Sequence, residues 1–287
     1  MATVFDPRRK DFAPYGFTCV RWTPTRMPRP DRHNEVELNL LGSGALTYLL
    51  GGQKVRIPGR RMAAFWAGIP HQIVHFEGTQ PYYVMTLPLA WFLQWRLPET
   101  LTRPVLNGRI VMEPETARFT ADQARFEAWV ADLRRPTDER QRVCQLEVEA
   151  RLRRLASALK AGRRVGARGG RAAPVMGAGR LSRVEEMACF VAQHYAEPLT
   201  AGEIGRQVKL HPNYAMSLFR RTFGTTILKY VVQHRLSHAQ RLLATTDDLI
   251  LDVALGSGFG SLSRFNEAFK GAFGCTPREY RGHHRSG

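Results

Sequence analysis

The sequence predicts a multidomain α+β protein. A strand-rich first half forms a sandwich or jelly roll with flanking helices, and an all-α region with two helix-turn-helix units follows. Three observations predict it. Short alternating segments, separated by Gly and Pro turns, recur between residues 35 and 87. From residue 120 the apolar period becomes helical. Between the halves lies a Gly- and Arg-rich stretch without acidic residues, which reads as a flexible linker. The expected division is residues 1–160 as one domain, 161–182 as linker and 183–287 as the second domain.

Composition narrows the function. The 287 residues are 44% hydrophobic with a formal net charge of +17, a globular composition that invites a polyanion such as nucleic acid. The excess charge is spread along the chain: 24 basic and 16 acidic side chains before residue 161, then 5 and 0, then 13 and 9. Charge alone therefore does not locate a binding face. No apolar run is long enough to span a bilayer, and the polar start around Asp6 lacks the apolar region of a secretory signal. A cytoplasmic protein without membrane association is expected. Cys19, Cys144, Cys189 and Cys275 are widely spaced, which argues against a zinc knuckle or disulfide framework.

The strands follow from alternation and turns. Glu35–Leu40 alternates strictly, and Gly42-Ser43-Gly44 turns the chain into Ala45–Leu50. Gly51-Gly52 then makes a tight turn into Lys54–Ile57. Ala63–Trp66, Pro70–Phe76 and Tyr82–Leu87 continue the series. Alternation places Glu35, Glu37 and Asn39 on one face, opposite Val36, Leu38 and Leu40, without saying which face points inward.

The helices follow from caps and stripes. Thr120 to Gln123 has capping-box spacing before Phe126, Trp129, Val130 and Leu133. Asp138 to Lys160 carries Cys144, Val148, Leu152, Leu155 and Leu159 along one edge. That edge suits a lid on the sheet and an antiparallel coiled coil with a second protomer equally well. Beyond the linker, Ser182 and Thr200 begin capped helices. The segment Asn213–Thr222 has Ala215, Leu218, Phe219 and Thr222 on one side, with Asn213, Ser217, Arg220 and Arg221 opposite and Met216 on the flank.

A capped helix, a turn and a second helix with a slender polar outer face suit a major groove about 12 Å wide. The pattern recurs: Ile250–Ala254, a turn over Gly256–Phe259, then Ser261–Ala272. Between the units, Thr225 or Thr226 caps a long helix that would space the two probes.

These residues resemble the AraC family of bacterial transcription regulators. The resemblance rests on "LTAGEIGRQVKLHPNYAMSLFRRTFGTTILKYVVQHRLSHAQRLL" and, more specifically, on "ILDVALGSGFGSLSRFNEAFKGAFGCTPREYR". It implies base-facing positions at Asn213, Met216, Ser217 and Arg220 in the first unit. In the second it implies Ser261, Leu262, Ser263, Asn266 and Glu267. Arg220, Arg221, Lys229, Arg235, Arg264, Lys270 and Arg281 suit phosphate contacts. Leu249 stands where many members have Ser, so Asp248 is the expected substitute cap. Leu262 and Glu267 are unusual readers, which shifts most hydrogen-bonded readout to the first unit.

The strand-rich half resembles the family's cupin-like sensor domain, nearest its melibiose-operon regulator branch, through "NEVELNLLGSGALTYLLGGQKVRI", "FWAGIPHQ" and "LPLAWFLQWRLP". That implies a small carbohydrate effector, with Glu35, Glu37, Asn39, Tyr48, Trp66, His71 and Gln72 as candidate contacts. Trp66 suits a core and His71 a turn at least as well. The expected partners are double-stranded promoter DNA, the effector and a second copy of the chain. Contact with RNA polymerase would make the protein an activator.

No Ser-His-Asp constellation, phosphate loop or nucleotide fingerprint stands out, so no catalytic residue, cofactor or metal is expected. The competing reading is a metal-dependent cupin enzyme with an appended DNA-binding domain. It leans on His33, Glu35, Glu37 and His71, a set without a second closely spaced histidine.

Overall fold

The computed structural model describes residues 3–10, 13–78, 80–114, 116–166, 183–223 and 225–285. Among these residues, eight strands form two antiparallel sheets. They are β1 (Thr18–Trp22), β2 (Glu35–Leu40), β3 (Ala45–Leu50), β4 (Gln53–Pro58), β5 (Met62–Trp66), β6 (His71–Glu77), β7 (Tyr82–Pro88) and β8 (Val111–Met112). One sheet has the order β1-β7-β2-β5-β8, and the other β4-β3-β6. The Gly51-Gly52 turn does join β3 to β4, with φ of 56° and 75°. Such positive angles suit glycine.

Strand alternation sorts two cores. Leu46, Tyr48, Leu50, Ile57, Phe65, Ile73, Tyr82 and Val84 lie between the sheets. Val36, Leu38, Leu40, Ala64, Trp66, Met85 and Leu87 point out of the five-stranded sheet into a second cluster. Four helices cover that outer face: α1 (Leu89–Gln94), α2 (Glu99–Leu106), α3 (Phe119–Arg134) and α4 (Asp138–Gly166).

The edge of α4 at Cys144, Val148, Leu152 and Leu155 is fully buried against the sheet, so the lid reading holds and those residues are not available to a coiled coil. Helix α4 runs on to Gly166, six residues into the expected linker. Residues 167–182, including Ser182 and its proposed cap, lie outside the described residues. Thr120 does not cap α3, which starts a residue earlier, where Phe119 packs on the core, and has no side-chain cap.

A buried charge cluster pins α3 to α4. Arg151 Nε and Nη2 donate to the two oxygens of Asp122 at 2.7 and 2.8 Å, and Nη2 also donates to Glu113. Burial disfavours the guanidinium charge, but the two carboxylates more than compensate and raise its pKa.

The second half is helical: α5 (Arg183–His194), α6 (Ala201–Gln207), α7 (Pro212–Phe223), α8 (Ile227–Thr245), α9 (Ile250–Gly256), α10 (Leu262–Phe273) and α11 (Pro277–Arg285). The long helix α8 belongs to two cores. Its first half, through Ile227, Tyr230 and Val231, packs with α5, α6 and α7. Its second half, through Leu236, Ala239 and Leu243, packs with α9, α10 and α11. At about 1.5 Å per residue its 19 residues span about 28 Å.

Leu49 and Val74, on the outer face of the three-stranded sheet, join the first of these cores. Lys54 pairs with Glu185 at 3.2 Å, and Asn34 donates to the Tyr280 hydroxyl at 2.8 Å. The two halves are therefore docked on each other.

Candidate nucleic-acid interface and effector cavity

The α6–α7 pair is built by local chemistry. Thr200 and Glu203 form a reciprocal capping box at the start of α6, satisfying two amides that the first turn would otherwise leave unpaired. Pro212 opens α7, where its missing N–H costs nothing. The two helices approach closely at Gly205, where an added Cβ would lie 3.2 Å from the Leu210 carbonyl and 3.3 Å from Ala215 Cβ. Ala215, Phe219 and Phe223 are buried, which turns Asn213, Met216, Ser217, Arg220 and Arg221 outward; all five are exposed.

The α9–α10 pair repeats the arrangement with Phe265 and Phe269 buried. Leu262, Ser263, Arg264, Asn266 and Glu267 are exposed. Ser261 is half-buried, and its hydroxyl accepts from the Arg264 amide as the N-cap, so one of its two acceptor sites is committed within the protein. Thr226 caps α8 by accepting from the Lys229 amide. The expected Asp248 cap for α9 does not form. Leu249 holds the N-cap position without a side-chain bond, and the Asp248 carboxylate accepts from the Thr246 hydroxyl instead.

Among the expected phosphate partners, Arg220, Arg221, Lys229, Arg264 and Lys270 are exposed. Arg235 is committed elsewhere. Its Nε and Nη2 donate to the carbonyls of Tyr195 and Glu197 at 2.7 and 2.9 Å, tying the end of α5 to α8. Arg281 likewise donates to the Asp248 carbonyl at 2.7 Å.

A partly open pocket lies between the sheets. Glu37, Tyr48 and His71 line it, and so do five aromatic or acidic residues not foreseen from the sequence: Phe5, Tyr15, Trp22, Asp31 and Tyr82. The outcome for the other candidates follows from strand register. Val36 pairs with Trp66 and Glu37 with Phe65, so Trp66 points into the outer core while Phe65 faces inward. Gln72 pairs with Leu49 on the outward face and donates to the Met27 carbonyl at 2.7 Å. Neither lines the cavity. Glu35 and Asn39 share the face of Glu37 but act behind the lining: Glu35 accepts from the Gly16 amide at 2.9 Å, and Asn39 donates to Glu37 at 3.3 Å.

The polar wall is organised around His33. Its Nδ1 bonds Glu35 and its Nε2 bonds Glu37, both at 2.8 Å. Burial opposes protonation, but the two carboxylates win and push the His33 pKa up to about 9. At neutral pH the ring is therefore an imidazolium clamped between two acids. Burial opposes ionisation of Glu37, yet bonds from His33 and His71 hold its pKa well below the usual range. Asp31 behaves the same way: burial is outweighed by His33, His71, Arg9 and the Arg32 amide.

Asp31, His33 and His71 bring ligand-type atoms within 4.8 Å of one another. The set fits a divalent ion poorly. Both nitrogens of His33 already hold carboxylates, and Asp31 accepts from Arg9, Tyr15 and the Arg32 amide.

Comparison with known proteins follows this geometry. A helix-turn-helix domain model matches residues 204–283. The melibiose operon regulatory protein of Escherichia coli K12 is 30% identical over 268 residues, covering 90% of this chain and 85% of that protein. The regulator ExsA of Pseudomonas aeruginosa is 29% identical over 98 residues, 34% of this chain and 35% of that one. A crystal structure of an AraC-type regulator from Chromobacterium violaceum is 29% identical and covers 36% of this chain and 93% of its own, with a TM-score of 0.35.

A DNA-binding transcriptional regulator is the class these features define. The chain belongs to the AraC family, and its similarity to the melibiose operon regulatory protein extends through both halves. Among the described residues, no helix is long and apolar enough to cross a membrane.

Proposed function

We propose that this protein is a non-enzymatic, cytoplasmic regulator, in the main an activator, of a sugar-utilisation operon. In this reading residues 1–160 form a cupin-like jelly roll that binds a small carbohydrate and dimerises. Residues 161–182 act as linker, and 183–287 carry two helix-turn-helix units, α6–α7 and α9–α10, that enter successive major grooves of promoter DNA. Asn213, Met216, Ser217 and Arg220 read bases in one groove. Leu262, Ser263, Asn266 and Glu267 read the next, with Ser261 donating its hydroxyl proton, and Arg221 and Arg264 hold phosphates.

The observation that carries this reading is the shared mounting of α7 and α10. Each buries an aromatic stripe against its own end of α8 and leaves its polar face exposed. Helix α8 holds the two exposed faces at a fixed separation, as entry into successive major grooves requires.

The cavity supports a sugar. Trp22, Tyr15, Tyr48 and Tyr82 offer flat faces for C–H groups, while Asp31, Glu37 and His71 offer partners for hydroxyls. An effector that binds one arrangement of the two halves better than another shifts promoter occupancy. Contact with RNA polymerase then activates.

A fluorescence anisotropy titration tests the DNA claim. Tight, sequence-selective binding that weakens with salt is expected, and binding indifferent to sequence overturns it. A thermal-shift screen of sugars tests the effector, because a ligand that binds only the folded state raises the melting point. Stoichiometric iron, manganese or zinc in purified protein would instead revive the metal-dependent enzyme.

A further inference from the structure

A second, partly open pocket sits where the strand-rich half meets α8. Trp66 and Asn107 line it from one side, and His234, Ser237, His238 and Arg241 from the other. Its chemistry is unlike that of the cavity between the sheets. No Asp or Glu lines it, whereas Asp31 and Glu37 line the other.

Three of its wall residues carry buried ring nitrogens with no hydrogen-bond partner: Nε1 of Trp66, Nε2 of His234 and Nδ1 of His238. Trp66 is 1% exposed and His234 4%. Leaving such atoms unsatisfied is unfavourable, and native structures rarely place several around one void without an occupant. Burial drives the His234 pKa down to about 3, with Arg32 adding to the effect, and the His238 pKa to about 4, with Arg241 adding to it. Both imidazoles are therefore neutral, and the indole can only donate. Arg241 is the charged side chain on the wall.

We propose that this seam pocket is a binding site for a small oxyanion, the carboxylate or phosphate group of a metabolite. The indole N–H and the two imidazoles supply hydrogen bonds, and Arg241 supplies the charge. Because the walls come from both halves, an occupant holds them together. The seam already depends on such a polar contact: the Gly68 carbonyl accepts from the Ser237 hydroxyl on α8. The site is chemically separate from the carbohydrate cavity and does not depend on that reading.

The test uses the full chain labelled with ¹⁵N at tryptophan, the Trp66 indole resonance being assigned by its absence in Trp66→Phe. Inorganic phosphate and acetate are titrated separately, each against chloride at matched ionic strength. A saturable shift of the Trp66 indole signal with phosphate, acetate or both is expected, and which anion acts names the chemical source. Arg241→Gln and His238→Asn should each weaken binding about tenfold or more. Circular dichroism identifies a variant that fails to fold, in which case the other variant and the wild-type titration decide. A shift that fails to saturate, equals the chloride shift or survives unchanged in a folded variant marks an adventitious ion only, and overturns the proposal.

Discussion

Removing the His33 ring should expose how the cavity wall is held. In His33→Leu, Glu35 and Glu37 lose the imidazolium that bonds each of them at 2.8 Å. Breaking a buried ion pair from one side costs about 3–5 kcal/mol. The pH dependence makes the test specific. His33 has a folded pKa of about 9, raised above its unfolded value near 6.5 by Glu35 and Glu37 against the opposing effect of burial. A raised pKa means the folded state holds the proton more tightly. The stabilisation is thus complete below about pH 6.5 and is lost as the pH rises through about 9, amounting to about 3 kcal/mol. In a unit of about 150 residues that corresponds to a fall of roughly 6–12 °C in Tm. Calorimetry of wild type and variant across this range is the assay. The wild type should lose stability on the alkaline side while His33→Leu stays nearly flat from a lower starting point. Parallel profiles would refute the clamped imidazolium.

Three further outcomes follow from single contacts. Asp122→Ala leaves Arg151 with Glu113 as its remaining carboxylate partner and should destabilise the strand-rich half by about 3–5 kcal/mol in urea unfolding. Thr200→Ala removes the capping box of α6 and should cost about 1 kcal/mol by the same measurement, with operator affinity falling as α7 loses its support. Gly52→Val meets a positive φ of 75° and would put a Cβ 3.1 Å from both Ala192 Cβ and the Cys189 carbonyl, so it should loosen the docking of the two halves. Small-angle scattering would show that as a larger radius of gyration, and an unchanged radius would contradict it.

Much of this was legible before any coordinates. The hairpin at Gly51-Gly52, the strand at Glu35–Leu40 and the probe helix after Pro212 are marked by short-range signals, namely turn glycines, strict alternation and an aromatic stripe at helical spacing. The cavity was harder because its walls come from segments with weak local patterns. Strand β1 is five residues of mixed burial, yet it brings Trp22 inward. Asp31 and His33 sit in an irregular stretch after Pro28 and Pro30, and only tertiary packing makes them central. Trp66 shows the limit most sharply. Its chemistry suits a sugar, but register with Val36 turns it outward, and a shift of one residue reverses a side chain's face. Arg235 shows the same limit for charge, since composition cannot tell a guanidinium free for phosphate from one spent on two carbonyls.

The central claim is that α7 and α10 together read DNA from one rigid mount. Hydroxyl-radical footprinting of the full chain on its operator tests this most directly. Two protected patches on one face of the duplex, about one helical turn apart, are predicted, with Arg220→Ala opening one patch and Asn266→Ala the other. A single patch, or both variants opening the same one, would contradict it.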